Sequence, residues 1–153
     1  MLNNDYKDIL LALSNRKAKF ILVGAYAMAV HGYPRSTMDI DIWIKPDHGN
    51  ASLVLLALED FGAPSGGLKA EDFQEEGIIF QIGVAPRRID ILTSIDGLEF
   101  DEAIAGSQTI MIEEIPVQVL SVADLIKNKR ATGRTKDMAD VEVLEDISNN
   151  EAR

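Results

Sequence analysis

A strand that carries two carboxylates on one face limits what this chain can become. From Met38 to Ile44 the residues alternate strictly, with Asp39, Asp41 and Trp43 on one side and Ile40, Ile42 and Ile44 on the other. That period of two predicts a strand with one apolar face. Residues i and i+2 of a strand lie roughly 6.5–7 Å apart. Two carboxylates that close repel unless a cation sits between them. An Asp-x-Asp strand therefore suits Mg²⁺, which takes one or two carboxylates plus phosphate oxygens. The plain alternative is an exposed strand face.

The surrounding stretch, FILVGAYAMAVHGYPRSTMDIDIWIK over residues 20–45, organises the rest. Phe20 to Val23 predicts a short strand buried on both faces. Gly24 breaks it, and Ala25 to Val30 reads as a short helix stopped by His31-Gly32 with Pro34 beyond. A residue without a side chain lets backbone N–H groups approach a phosphate, and the positive end of the helix points the same way. A simple tight turn would use Gly24 equally well. A third acid, Asp90, stands in the apolar run Arg88-Ile-Asp-Ile-Leu92. An acid there is costly unless paired or metal-bound. Beside the Met38–Ile44 strand it would complete a set of three carboxylates able to hold two metal ions for phosphoryl displacement. Pairing with Arg87, Arg88 or Lys45 is the structural alternative.

Composition narrows the chemistry. The 153 residues fit one domain, taken as 1–147 with a frayed polar tail over 148–153. No cysteine is present and only two histidines, His31 and His48, which excludes thiolate zinc sites, Fe–S clusters and cysteine nucleophiles. Oxygen ligands point to Mg²⁺, Mn²⁺ or Ca²⁺. The net charge of −10 argues against a broad nucleic-acid surface but leaves room for a local basic patch. Residues 127–136 hold Lys127, Lys129, Arg130, Arg134 and Lys136 with no acid among them, either a solvated helix end or an anion-binding wall. The start MLNNDYKD lacks the basic and apolar regions of a signal peptide, and no run of ~18 apolar residues occurs. A cytoplasmic protein with no membrane partner is expected.

Helices are predicted over 5–18, 50–61, 99–105, from Ser121, and over 136–147. Asn4 or Asp5 would cap the first, and Leu53, Leu56, Ala57 and Phe61 would face inward on the second. Ile78–Val84 and Arg88–Leu92 read as the two strands of a hairpin around an Ala85-Pro86-Arg87 turn, and residues 70–76 as acidic surface. Thr109–Ile112 and Ile115–Val119 read as two more strands around Glu113-Glu114. The fold class expected is α+β, a mixed β-sheet flanked by helices with a helical C-terminus.

Val23-Gly24-Ala25, then Gly32-Tyr-Pro-Arg35-Ser-Thr37-Met-Asp39-Ile-Asp41, then Asp90, resembles the nucleotidyltransferase fold of the DNA polymerase β superfamily. The small bacterial members, AbiEii-type toxins among them, are most similar. Leu120–Lys129 through Arg134–Asp140 resembles that group's helical ending. The resemblance implies Asp39, Asp41 and Asp90 as catalytic residues and ligands of Mg²⁺ or Mn²⁺, in a pair of ions. It implies Gly24, Ala25, Arg35, Thr37, Lys129 and Arg134 as nucleotide-binding, with Asp137 orienting the basic residues. Ala25 departs from the Gly or Ser usual there, and so loses a hydroxyl and some backbone freedom. The implied activity moves a nucleoside monophosphate from NTP to an acceptor in tRNA, in a protein or on a small molecule. The implied partners are a homo-oligomer or a cognate antitoxin. A catalytically weak or inactive nucleotide- or partner-binding protein is the alternative on the same fold.

Overall fold

The computed structural model describes residues 3–33, 39–63, 67–84 and 87–151. Its elements are α1 (Asn4–Asn15), β1 (Phe20–Val23), α2 (Gly24–Val30), β2 (Ile40–Ile44), α3 (His48–Phe61), β3 (Ile79–Ile82), β4 (Ile89–Leu92), α4 (Phe100–Gly106), β5 (Gln108–Ile112), β6 (Ile115–Val119), α5 (Val122–Thr132) and α6 (Thr135–Glu151). A 3-10 turn covers Ala70–Phe73. The strands form one six-stranded sheet in the order β3-β4-β2-β1-β6-β5. β1 pairs antiparallel with β2 and parallel with β6, and β2 pairs parallel with β4. Antiparallel β3 and β5 close the two edges. The expected mixed, helix-flanked sheet is the sheet observed.

The central strands are apolar because both of their faces are covered. All four residues of β1 are buried, as are Ile40, Ile42 and Ile44 of β2 and Ile89 and Ile91 of β4. Each such side chain contributes about 1.5–3 kcal/mol by leaving water. β3 and β5, at the two edges, hold only exposed and half-buried positions, in strict alternation along β3. The β5–β6 hairpin turns on Glu113 and Glu114, both at positive φ (48° and 72°), the geometry that matches strand twist.

Several boundaries differ from expectation, each for a local reason. Asn3, one residue earlier than expected, caps α1 by accepting the Tyr6 N–H at 2.9 Å. Asp47 caps α3, which starts at His48. The buried face of α3 is Asn50, Ala51, Val54, Ala57 and Leu58, and Leu56 is 38% exposed. Asn50 sets that rotation. Its amide bonds Lys19 N–H, Lys19 C=O and Lys45 C=O at 2.6, 2.9 and 3.0 Å, which draws this edge of the helix inward. Residues 70–76 are anchored through Phe73, fully buried and edge-on to Phe80. Helix α6 continues through 148–151, the start of the expected frayed tail, since Ser148-Asn-Asn-Glu contains neither Gly nor Pro to stop it.

Candidate active site

The register of the sheet brings the acids together. Val23 at the end of β1 lies opposite Asp41, and Asp41 lies opposite Asp90 on the parallel neighbour β4. Strands there are about 4.8 Å apart, so the two carboxylates share one face. Gly24 follows Val23 with φ +70°, and a Cβ on it would stand 2.2 Å from Asp41 Oδ2. Glycine is thus required at the turn twice, by backbone conformation and by contact with the carboxylate.

Charge at this face is unevenly neutralised. The Arg88 guanidinium grips both oxygens of Asp90, Nε to Oδ1 at 2.7 Å and Nη2 to Oδ2 at 3.0 Å. The same Nη2 lies 3.4 Å from Asp39 Oδ2, and the Arg88 backbone N–H donates to Asp39 Oδ1 at 2.8 Å. The structural alternative for Asp90 is therefore the arrangement observed, with Arg88 as the partner. Asp41 shares least in this neutralisation. Burial, then the negative charge and hydrogen bond of Asp90, then Asp39, push its carboxyl up from 3.8 to about 7, with Arg88 opposing. Tyr6 reaches the same strand ends from α1. Its hydroxyl donates to Arg88 C=O at 3.4 Å, and burial followed by the charge of Asp39 raises it to about 12. Nothing in the spacing of α1 marked Tyr6 as more than a core residue.

A cavity of about 600 Å³ opens beside Asp41. Val23, Gly24, Ala25 and Asp41 form one wall, Ser94, Ile95 and Asp96 a second, and α5 with the start of α6 a third. The third wall is the basic segment, through Lys129, Arg134 and Lys136. Asp137 organises it from a buried position. It lies 3.4 Å from Lys129 Nζ, accepts Arg134 Nε at 2.8 Å, and has the Thr132 hydroxyl at 2.5 Å. Burial alone would raise the Asp137 carboxyl; the Thr132 and Arg134 hydrogen bonds and the Lys129 charge overcome it and hold the group below the usual carboxylate range. Asp140 adds a second carboxylate 3.1 Å from Lys129 Nζ. Arg130 instead pairs with Glu145. The second wall is pinned to α5 by Asn128, which donates to Asp96 C=O at 2.9 Å, and by Gly97, whose missing Cβ would stand 2.6 Å from that of Ala131. Sequence reading passed over Asn128 and Asp96, which have no motif of their own.

Of the residues singled out in the sequence, Gly24, Ala25, Asp41, Lys129 and Arg134 border this cavity. Asp39 and Asp90 adjoin Asp41 and are tied to Arg88. Arg35 and Thr37 lie outside the described residues. The histidines are structural: His31 Nε2 bonds Leu120 C=O at 2.8 Å, and His48 Nδ1 meets Gln74 Nε2 at 3.2 Å. Trp43, 2% exposed, packs edge-on against Phe100 rather than offering a stacking surface.

The donor set is one of carboxylate oxygens, the chemistry a hard divalent cation takes. The Asp41 carboxyl is raised first by burial and then by the two neighbouring acids, and the acids' share marks a cluster short of positive charge. The residues fit a metal in these two respects. Among the described residues, however, no three acid or histidine side chains already converge in metal-holding geometry, and Arg88 stands between two of the acids.

No family profile matches the chain, and no curated protein matches it by sequence. Among solved structures, a proposed nucleotidyltransferase from Thermotoga maritima superposes over 98% of this chain and 96% of that one, with a TM-score of 0.60 at 16% identity. A likeness at that identity is one of fold. The six-stranded mixed sheet with its flanking helices is the nucleotidyltransferase fold.

Proposed function

We propose that this chain is a metal-dependent nucleotidyltransferase that moves a nucleoside monophosphate from NTP to an acceptor and releases pyrophosphate. One observation carries the reading. Asp41, in register with Asp90 and packed against Gly24, borders a cavity of about 600 Å³ whose far wall carries Lys129, Arg134 and Lys136. That volume suits a small-molecule ligand.

Each residue has a role on this reading. Asp39, Asp41 and Asp90 would hold Mg²⁺ or Mn²⁺, as a pair of ions; bound there, they would neutralise phosphate charge and lower the pKa of the attacking hydroxyl. The backbone N–H groups of Gly24 and Ala25 would receive the β- and γ-phosphates. Lys129 commits two donors to Asp137 and Asp140, and an ammonium carries three, so one remains for a phosphate oxygen. Arg134, fixed by Asp137, would add a second contact. Arg35 and Thr37 would stand near the triphosphate. Asp90 would accept the acceptor's proton. Positioning and charge complementarity would supply most of the rate.

The acceptor is a hydroxyl or phosphate of tRNA, of a protein or of a small molecule, and the short basic wall favours a compact one. A toxin role opposite a cognate antitoxin, a homo-oligomer that completes the acceptor site, and a cytoplasmic setting belong to the same reading. Among the described residues no helix is long and apolar enough to cross a membrane. A second reading, a nucleotide- or partner-binding protein without turnover, draws on the grip of Arg88 on Asp39 and Asp90 and on alanine at position 25.

Calorimetric titration of the four NTPs with and without Mg²⁺, beside an Asp39→Asn/Asp41→Asn double variant, tests the proposal. Magnesium-dependent binding that the variant loses is the expected result. Nucleotide binding that needs neither metal nor carboxylates would favour the second reading, and no binding at all would overturn both as nucleotide sites.

A further inference from the structure

We propose that Arg88 is a built-in counterion of the carboxylate site, and that its guanidinium must leave Asp39 and Asp90 before a divalent cation is bound there. This rests on the reading of those acids as metal ligands, and goes beyond it in assigning a competitor from the chain itself.

The geometry carries the inference. Arg88 stands two residues before Asp90, so both side chains leave the strand on the same face. Its fork satisfies both Asp90 oxygens, at 2.7 and 3.0 Å, and approaches Asp39 at 3.4 Å. These are lone pairs a metal would need. A metal ion and the guanidinium compete for them, because the two cations repel each other and the bidentate fork takes a lone pair on each Asp90 oxygen. The contacts are strong ones, since Asp90 is only 7% exposed and charge-assisted bonds gain strength away from water.

The same side chain is free to leave. The Arg88 side chain is 30% exposed, which makes its departure a rotamer change toward solvent rather than a repacking of the core. The backbone N–H of Arg88 holds Asp39 Oδ1 at 2.8 Å, and the Tyr6 hydroxyl holds the Arg88 carbonyl. Both of these bonds persist when the guanidinium swings out. Asp39 thus stays placed while one of its oxygens and both of Asp90's become available. In the metal-free chain Arg88 relieves the mutual repulsion of three neighbouring acids. The consequence is weaker intrinsic metal affinity, with occupancy favoured where another negative group, such as a triphosphate, accompanies the cation.

The test is titration of Mn²⁺ alone, without nucleotide, into wild type, Arg88→Gln, Arg88→Lys and the Asp39→Asn/Asp41→Asn double variant. Calorimetry would be followed by melting curves with and without Mn²⁺. Arg88→Gln should bind Mn²⁺ roughly tenfold or more tightly than wild type, because the competing ion pair is gone. Arg88→Lys, which keeps the charge but not the fork, should fall between. Metal-free Arg88→Gln should melt below wild type, and Mn²⁺ should close the gap. Equal affinity in wild type and Arg88→Gln, with binding lost in the double variant, would overturn the competitor role and leave the metal site standing. Weaker binding by folded Arg88→Gln would also overturn it, making Arg88 a support. If neither wild type nor Arg88→Gln binds Mn²⁺, the metal reading falls and this inference with it. Should Arg88→Gln not fold, Arg88→Lys decides: tighter than wild type supports, equal or weaker overturns.

Discussion

Gly24 is the residue on which the backbone turn and the acid cluster both depend. Its φ of +70° is strained for any L side chain, and an added Cβ would meet Asp41 Oδ2 at 2.2 Å. Gly32, at φ +108° with none of the described residues within 4 Å of its missing Cβ, separates these two effects. Gly32→Ala should lose about 1–3 kcal/mol, the cost of a strained φ alone. Gly24→Ala should lose more, and should also abolish magnesium-dependent NTP binding, since Asp41 must move or the turn must open. Urea unfolding and calorimetry on the two variants check this. Equal effects of both substitutions on NTP binding would show that the contact with Asp41 does not matter. Among the carboxylates, the two partners of Arg88 differ in burial, and this is where reading single residues ran out. The run Arg88-Ile-Asp-Ile-Leu92 shows that Asp90 needs a positive charge, but three basic residues and a metal could each supply it. Among the three basic residues, Arg88 is the one that grips Asp90, from the same face two positions away.

At the scale of elements, α5 and the start of α6 form a unit whose working surface depends on one buried acid. Asp137 receives Arg134 and Thr132 and faces Lys129, so it fixes two of the three cations that border the cavity. Asp137→Asn keeps the shape and removes the charge. Arg134 is more than half exposed and Lys129 keeps Asp140, so the loss should be about 1–3 kcal/mol rather than that of a fully isolated ion. NTP affinity should fall with it, because Lys129 and Arg134 lose their common anchor. An unchanged affinity in the folded variant would remove the basic wall from the site. The sheet elements were legible because their patterns answer to two faces each. The alternation of β2 fits a period of two, and the unbroken FILV of β1 reads as a buried strand from its shortness and the Gly24 that stops it. The rotation of α3 was not legible, since it depends on Asn50 bonding the backbones of Lys19 and Lys45, contacts remote in sequence or set by a loop. Tyr6 was hidden for the same reason: its spacing marks a buried helix face, and only the packed structure shows its hydroxyl at the Arg88 carbonyl.

For the molecule as a whole, the acids respond to pH in opposite directions, and this gives the metal-free fold a distinctive stability profile. The Asp137 carboxyl is depressed, so the stability it contributes is present at neutral pH and is lost only as pH falls through its lowered folded value. Asp41 is the reverse. Its folded-state carboxyl keeps a proton up to about 7, whereas the unfolded chain releases it near 3.8. Across that window the native state binds the extra proton, so stability falls as pH rises, and it is level again above the folded value. Burial and the charges of Asp90 and Asp39 are the cause, with the penalty on the order of a few kcal/mol at most. Asn has the shape of a protonated Asp and never ionises. Asp41→Asn should therefore match wild type near pH 4 and exceed it progressively toward pH 8, in chelator and without metal. Urea unfolding at pH 4, 5.5, 7 and 8 would show the two curves diverging. Parallel curves would mean that Asp41 is already neutralised in the metal-free protein, and that the acid cluster has no unmet demand for a cation. Divergence that Mn²⁺ then removes, by stabilising wild type alone, would tie the charge deficit measured by pH to the same carboxylates that the nucleotide titration addresses.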